Sequence, residues 1–248
     1  MSEPRGGRGA SKPRRRISVV GVLGELLITA GAFVLLFLAW QLWFNDLVVG
    51  NNLHEESLDQ AQLWERDAST AAHGTPDDPP VLGTPDASEI FGLMIVPRWG
   101  ADFYRPIAEG TGTVAVLNHG RIGHYPTSQM PGEVGNFAVA AHRTSYGKPF
   151  NQISSLRVGD HIYIETADGW YDYVFRNLEY VQPTGVGVIA PVPQADGATA
   201  ADRFLTMTSC NPLFSSAERI IAYSVFDSFH PRADGPPDEI AATVAGGS

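Results

Sequence analysis

HIYIETADGWYDYVFRNLEYV, His161 to Val181, sets the character of the fold. Two β-type runs, His161–Thr166 and Trp170–Val181, flank the turn signal Asp168-Gly169, and that pattern reads as a hairpin. The texture holds on both sides of it. Upstream lie FGLMIVP (91–97), GTVAVLN (112–118) and GNFAVAAHR (135–143); downstream lie RFLTMTS (203–209) and RIIAYSVF (219–226). Seven or so short strands broken by Gly and Pro, with no long helix among them, imply an all-β closed barrel or a sandwich. No internal repeat is present. With 44% hydrophobic and 18% charged residues, the chain can bury a sizeable core.

The N-terminal region is of another kind. Arg5, Arg8, Lys12, Arg14, Arg15 and Arg16 are six of the 17 basic residues of the chain. LLITAGAFVLLFLAWQLWF, Leu26 to Phe44, follows them, with the amide of Gln41 as its polar group. At about 1.5 Å per residue it reaches roughly 28 Å, close to a hydrocarbon core of ~30 Å. Trp40 and Trp43 sit at the end where aromatic rings favour the interface, and Glu25 falls near the opposite headgroups. The run is longer than a removable signal needs, so it reads as an uncleaved anchor. Positive-inside logic puts residues 1–16 in the cytoplasm and everything after Asn45 outside. From Asn45 onward, 25 acidic residues face 11 basic ones, a balance that argues against a nucleic-acid partner. Residues 45–69 read as a weakly amphipathic helix or stalk, and HGTPDDPPVLGTPD (73–86) as linker. The end of the chain, RADGPPDEIAATVAGGS, reads as frayed.

Cys210 is the single cysteine, in a chain read as exported. A dispensable thiol is a liability in an oxidising compartment, although most lone cysteines are buried and inert. Cys210 ends a strand and opens onto NPLFSSAE, and an antiparallel return brings Arg219 back toward it. A thiol with a reference pKa of about 8.5 needs a base or a cation to act at neutral pH. His54 and His73 lie in the stalk and linker, His230 in the tail, and His161 at a strand start; each reads as solvated or superficial. His119, His124 and His142 remain. Ala138 and Ala140 share the face of His142 in a regular strand and leave room for an imidazole over a groove. His119 and His124, in NHGRIGHYPTSQMPG, read equally as loop-stabilising or substrate-lining. No spaced Cys or carboxylate completes a zinc pattern around them, so no metal and no cofactor is expected.

The segments PGEVGNFAVAAHRTSYGKPF, LTMTSCNP and AERIIAYSVF together resemble a sortase: His at one strand end, Thr-x-Thr-x-Cys at a second, Arg in a third. The resemblance covers about Ile90 to Asp227, and GHYP with AAHR is similar to class E, the housekeeping type of high-GC Gram-positive actinobacteria. It implies an eight-stranded β-barrel behind one transmembrane helix and a stalk. It also implies a membrane-anchored cysteine transpeptidase that cuts a C-terminal sorting signal between Thr and Gly through a thioester. The partners implied are secreted proteins bearing that signal and a lipid-linked peptidoglycan precursor amine. By position Cys210 is then the nucleophile, His142 the general acid/base and Arg219 the oxyanion or substrate-backbone ligand. Tyr125 matches the tyrosine linked to a preference for Leu-Ala-x-Thr-Gly. The familiar Thr-Leu-Thr-Thr-Cys context is here Leu205-Thr206-Met207-Thr208-Ser209-Cys210. No Asp-Pro-aromatic lid precedes the barrel, which disfavours a pilin-polymerising enzyme. A cysteine hydrolase, or an inactive binding module on the same barrel, fits the same residues. The chain is thus expected to divide into a basic cytoplasmic tail (1–16), an anchor (17–44), a stalk and Pro/Gly-rich linker (45–89), a catalytic barrel (90–227) and a flexible C-terminal tail (228–248).

Overall fold

The computed structural model describes residues 18–40, 45–67, 69 and 71–246. The basic tail 1–16 and the indole of Trp43 lie outside these residues. The chain separates into two units, divided between Phe44 and Asn45. In the first, α1 (Val19–Ala39) begins where Ser18 Oγ accepts from Gly21 N. Its 21 residues are long and apolar enough to cross a membrane, and none is buried against protein.

The second unit is built on eight strands: β1 (Ile90–Ile95), β2 (Tyr104–Glu109), β3 (Ile122–His124), β4 (Gly135–Ala140), β5 (His161–Glu165), β6 (Gly169–Val181), β7 (Arg203–Asn211) and β8 (Glu218–Pro231). They close in the order β1-β2-β3-β4-β7-β8-β6-β5, with β1 and β5 pairing to complete the barrel. β2/β3 and β4/β7 are parallel. The Asp168-Gly169 signal does make the β5–β6 hairpin. Gly169 has φ +149°, and a Cβ there would stand 2.2 Å from the His230 carbonyl, so only glycine fits the turn.

The strands depart from the sequence reading over residues 104–124, where one run read as a strand is not one and β2 and β3 were not read. GTVAVLN is not a strand: the amides of Val116 and Leu117 bond back to the Gly112 carbonyl and that of Asn118 to Thr113, which coils the segment into turns. Local bonds satisfy its backbone, and Val114 is left exposed. The strand pairing falls instead to the flanking runs Tyr104–Glu109 and Ile122–His124.

The barrel interior packs Met94, Ile107, Phe137, Leu205, Met207, Ile220 and Tyr173, all but fully buried. Each such side chain contributes about 1.5–3 kcal/mol by leaving water. Alternate residues of β1, β5 and β6 are buried as well: Leu93, Ile95, Tyr163 and Trp170 form a second apolar layer outside the barrel. An exposed sheet face would be polar at these positions. What covers them is α2 (Asn45–Arg66) with Leu58, Ala61 and Trp64, and the C-terminal segment with Ile240 and Val244. Residues 45–66 are therefore a helix docked on the barrel rather than a free stalk. Ser57 Oγ donates to the Tyr104 carbonyl at 3.0 Å, and Arg232 forms a buried pair with Glu165 and a second with Glu65 of α2.

The C-terminal residues likewise pack, contrary to a flexible tail from 228. β8 runs on to Pro231, Ile240 is fully buried, and the short α3 (Ala241–Val244) buries Thr243. The Pro/Gly-rich segment is strapped to the barrel by Phe229 N to the Pro76 carbonyl (3.0 Å) and Tyr171 Oη to the Pro80 carbonyl (2.7 Å).

Candidate active site

β4, β7 and β8 are neighbours, and their ends gather the chemistry. Along the parallel β4/β7 ladder Ala138 faces Thr206 and Ala140 faces Thr208. The ladder continues one bond further, Ala141 N to the Thr208 carbonyl at 3.2 Å, and Ser209 Oγ donates to the Ala141 carbonyl at 2.7 Å. His142 therefore leaves β4 alongside the end of β7. On the other side, Cys210 pairs directly with Arg219 across the antiparallel β7/β8 ladder. The antiparallel return expected from sequence is present. An imidazole, a thiol and a guanidinium thus stand in sequence across three adjacent strands.

Strand alternation decides which way they face. Leu205 and Met207 fill the barrel interior, so Thr206, Thr208 and Cys210 share the outer face. A cleft of about 90 Å³ lies on that face, lined by Tyr125, Thr208, Arg219 and Ile221 on one side and by Val186, Val188 and Ile189 of the β6–β7 connection on the other. Tyr125 Oη is 3.0 Å from Thr208 Oγ1. Cys210 itself is partly exposed.

His142 is half-buried, and desolvation pushes its imidazole below the ordinary histidine value. Its Nε2 donates to Asn118 Oδ1 at 3.0 Å, which fixes the tautomer and leaves Nδ1 as the basic nitrogen. The ring stacks on Tyr146 with centroids 5.1 Å apart. Tyr146 has φ +53°, a conformation unfavourable for a non-glycine residue and held at a site where its ring has a partner. Arg219 Nη1 donates to the Ser216 and Glu218 carbonyls, both at 3.0 Å. Among the described residues it forms no ion pair, so its charge is not neutralised by a carboxylate.

Three contributors were not singled out by sequence. Buried Arg143 donates to the Cys210 carbonyl at 3.3 Å and to Asn211 Oδ1, and so ties the histidine loop to the cysteine strand. Asn118 is the imidazole's partner. Asn136, fully buried, donates to the Val188 and Ala190 carbonyls at 3.1 and 2.9 Å and accepts from Thr206 Oγ1 at 2.8 Å, which holds the outer wall of the cleft. The local signals were a basic residue after the histidine and an amide opening β4; neither shows a partner until the strands are paired. The two remaining histidine candidates separate. His124 is buried between Glu109 Oε2 at 2.7 Å and the Gln129 carbonyl at 3.1 Å, a loop-holding role. His119 lies on a different groove, against α2.

Fold and site together define a class: a closed β-barrel carrying Cys, His and Arg at adjoining strand ends, the constellation of a cysteine-dependent acyl-transfer protein. A sortase domain matches residues 94–226, over half of the chain. The chain belongs to the sortase family, whose members are cysteine transpeptidases, and its likeness is to class E. It is 31% identical over 239 residues to Sortase SrtE1 of Streptomyces coelicolor, covering 94% of this chain and 64% of that relative's length. It is 32% identical to Sortase SrtE2 of the same organism, covering 88% of this chain and 86% of the relative. Among solved structures, the SrtA sortase from Actinomyces oris is similar at 38% identity and a TM-score of 0.63, over 66% of this chain and 95% of that one. A crystal structure of Sortase E1 from Streptomyces coelicolor with a tripeptide in its active site is similar at 34% identity and a TM-score of 0.58, over 63% of this chain and 99% of that one.

Proposed function

We propose that this protein is a membrane-anchored transpeptidase that cuts a Leu-Ala-x-Thr-Gly-like sorting signal between Thr and Gly and joins the Thr carbonyl to a cell-wall amine. The observation that carries the reading is the Cys210–Arg219 strand pair with His142 alongside, opening on a cleft lined by Tyr125 and Arg219. The tripeptide in the active site of the similar Sortase E1 supports a peptide as the occupant of that cleft. α1 supports the anchor, with the catalytic unit outside the cell by the arginine bias of the N-terminus.

In this reading Cys210 Sγ attacks the Thr carbonyl carbon. The C–S bond forms, the Thr–Gly C–N bond breaks, and the thiol proton reaches the departing glycine amine through His142. Arg219 donates to the developing oxyanion and keeps its charge throughout. The acceptor amine, carried on a lipid-linked peptidoglycan precursor, then attacks the thioester. A new C–N bond forms as C–S breaks, and the amine proton returns to sulfur through His142. The pilin-polymerising reading loses ground because the segment holding Pro76 and Pro80 is bound at Phe229 and Tyr171, ten residues along β8 from Arg219.

The test incubates the full chain in detergent with a Leu-Ala-x-Thr-Gly peptide, with and without an added amine, and reads products by mass spectrometry. A thioester on Cys210 and an amine-joined product are expected. Release of free acid alone, even with amine present, identifies a hydrolase. No cleavage, with Cys210→Ala binding the peptide like wild type, identifies a binding module. Arg219→Ala should lower kcat/KM about 10²- to 10³-fold, the usual cost of an oxyanion donor.

A further inference from the structure

Each of the three proposed catalytic residues has an immediate chain neighbour in a second set of contacts. Arg143 follows His142, Asn211 follows Cys210, and Glu218 precedes Arg219. Arg143 donates to Asn211 Oδ1 and, at 3.3 Å, to the Cys210 carbonyl. Asn211 in turn donates from Nδ2 to Glu218 Oε2 at 3.0 Å, across the strand pair next to the Cys210–Arg219 pair. The Glu218 carbonyl accepts from Arg219 Nη1 at 3.0 Å. Side chains alternate along a strand, so Asn211 and Glu218 stand on the face of the ladder opposite Cys210 and Arg219. One hydrogen-bonded row thus crosses the histidine loop, β7 and β8 alongside the row that carries the chemistry.

The row is demanding to build. Arg143 is more than nine-tenths buried, yet among the described residues it forms no ion pair, and its Nε has no hydrogen-bond partner. Its charge is held by hydrogen bonds alone, to the two β7 acceptors and to Ser154 Oγ at 3.3 Å. A planar guanidinium reaches all three; an ammonium does not present that fork. The central side chain is equally restricted. Asn211 accepts from Arg143 and donates to Glu218 at once. A carboxylate at that position could only accept, and an apolar side chain could do neither. The contacts also bracket the histidine. Ala141 is tied to Thr208 and Ser209 before it, and Arg143 to Cys210 and Asn211 after it.

We propose that Arg143, Asn211 and Glu218 are positioning residues for the transfer reaction: they fix the three strand ends against one another, so that imidazole, thiol and guanidinium keep the relative placement that acylation needs. The proposal rests on the transpeptidase reading above. The row acts through the backbone of the reacting residues and not on the substrate. β4 itself ends at Ala140, two residues short of His142, so strand pairing alone does not place the imidazole. A misplacement of about 1 Å in a reacting group can cost about 10²-fold in rate.

The test measures single-turnover thioester formation on the full chain in detergent, with a saturating Leu-Ala-x-Thr-Gly peptide. Asn211→Asp keeps the acceptor for Arg143 but loses the donor to Glu218, and should slow acylation about 10- to 100-fold. Asn211→Asp/Glu218→Gln exchanges carboxylate and amide, so that position 218 donates to position 211. It should recover to within about fivefold of wild type. Asn211→Asp/Glu218→Leu has the same net charge without the bond and should stay slow. Arg143→Lys, which keeps the charge and loses the fork, should be slow as well. Alkylation of Cys210 by iodoacetamide reads thiol reactivity with no peptide to align, and should be alike in the two double variants. Equal recovery in both double variants, or wild-type acylation in Asn211→Asp, overturns the proposal. So does an acylation deficit matched by an equal change in alkylation, which marks a disturbed fold instead. If wild type forms no thioester at all, the transpeptidase reading fails and the positioning role falls with it. A wild type that acylates normally, with variants that do the same, sinks the positioning role alone.

Discussion

His142 shows how burial sets chemistry at one residue. Desolvation holds its imidazole below the ordinary value of 6.5, so at neutral pH the ring is uncharged, with Nε2–H committed to Asn118 and Nδ1 free to take a proton. The same shift has a sign for stability. Between 6.5 and the lower folded value the unfolded chain takes up a proton that the folded chain refuses. This group therefore contributes nothing above that window and destabilises the fold as pH drops through it. Thermal unfolding of wild type and His142→Gln from about pH 8 to about pH 5 checks it: the wild-type midpoint should fall more steeply, and a parallel pair of curves refutes the shift. The candidacy of His142, Cys210 and Arg219 was legible as residue types at strand ends. Asn118 and Arg143 were not, because a hydrogen bond across 24 or 67 residues leaves no local mark.

At the scale of elements, β4 carries both the end of the site and the wall of the cleft. Asn136 at its start spans two strands and the connection that faces Tyr125. Asn136→Ala leaves the Val188 and Ala190 carbonyls without their donor, at about 1–3 kcal/mol of stability. Its kinetic signature should be a raised KM for the donor peptide with kcat largely kept, since the segment it holds lines the cleft and touches none of the reacting groups. A fall in kcat at constant KM contradicts that assignment. Strand reading succeeded where runs were long, as in His161–Val181, and failed at Gly112–Asn118. There a β-type composition is overruled by turns that satisfy the backbone locally.

At the scale of the molecule, the barrel is clasped from outside. α2 and the C-terminal segment meet over Leu93, Ile95, Tyr163 and Trp170, and Arg232 pairs both with buried Glu165 of β5 and with exposed Glu65 of α2. Arg232 Nη2 donates to Glu165 Oε1 at 2.7 Å, and its guanidinium lies 4.8 Å over the Trp170 ring. Arg232→Met strands the fully buried Glu165 carboxylate and should cost about 3–5 kcal/mol, read as a shift in the urea midpoint. The double variant Arg232→Met/Glu165→Gln should recover part of the loss; strictly additive losses contradict the pairing.

The pattern of short apolar runs and turn signals, an apolar stretch of membrane length, and a lone thiol near a returning arginine are properties of neighbouring residues, and the chain order displays them. They were enough for an all-β barrel or sandwich after a hydrophobic helix; the resemblance carried by the motifs selected the barrel and named Cys210, His142 and Arg219 as site candidates by position. Long-range pairing decided the remainder. It brought β4 beside β7, so that the strand leading to His142 runs alongside the strand that ends at Cys210, although 68 residues separate the two side chains in sequence. It also left alternate faces of β1, β5 and β6 apolar on the outside, which drew α2 and the C-terminus down onto the barrel. Polar, Pro-rich and Gly-rich segments look free when read singly. They are bound here because the surface that needs covering exists only once the strands have closed.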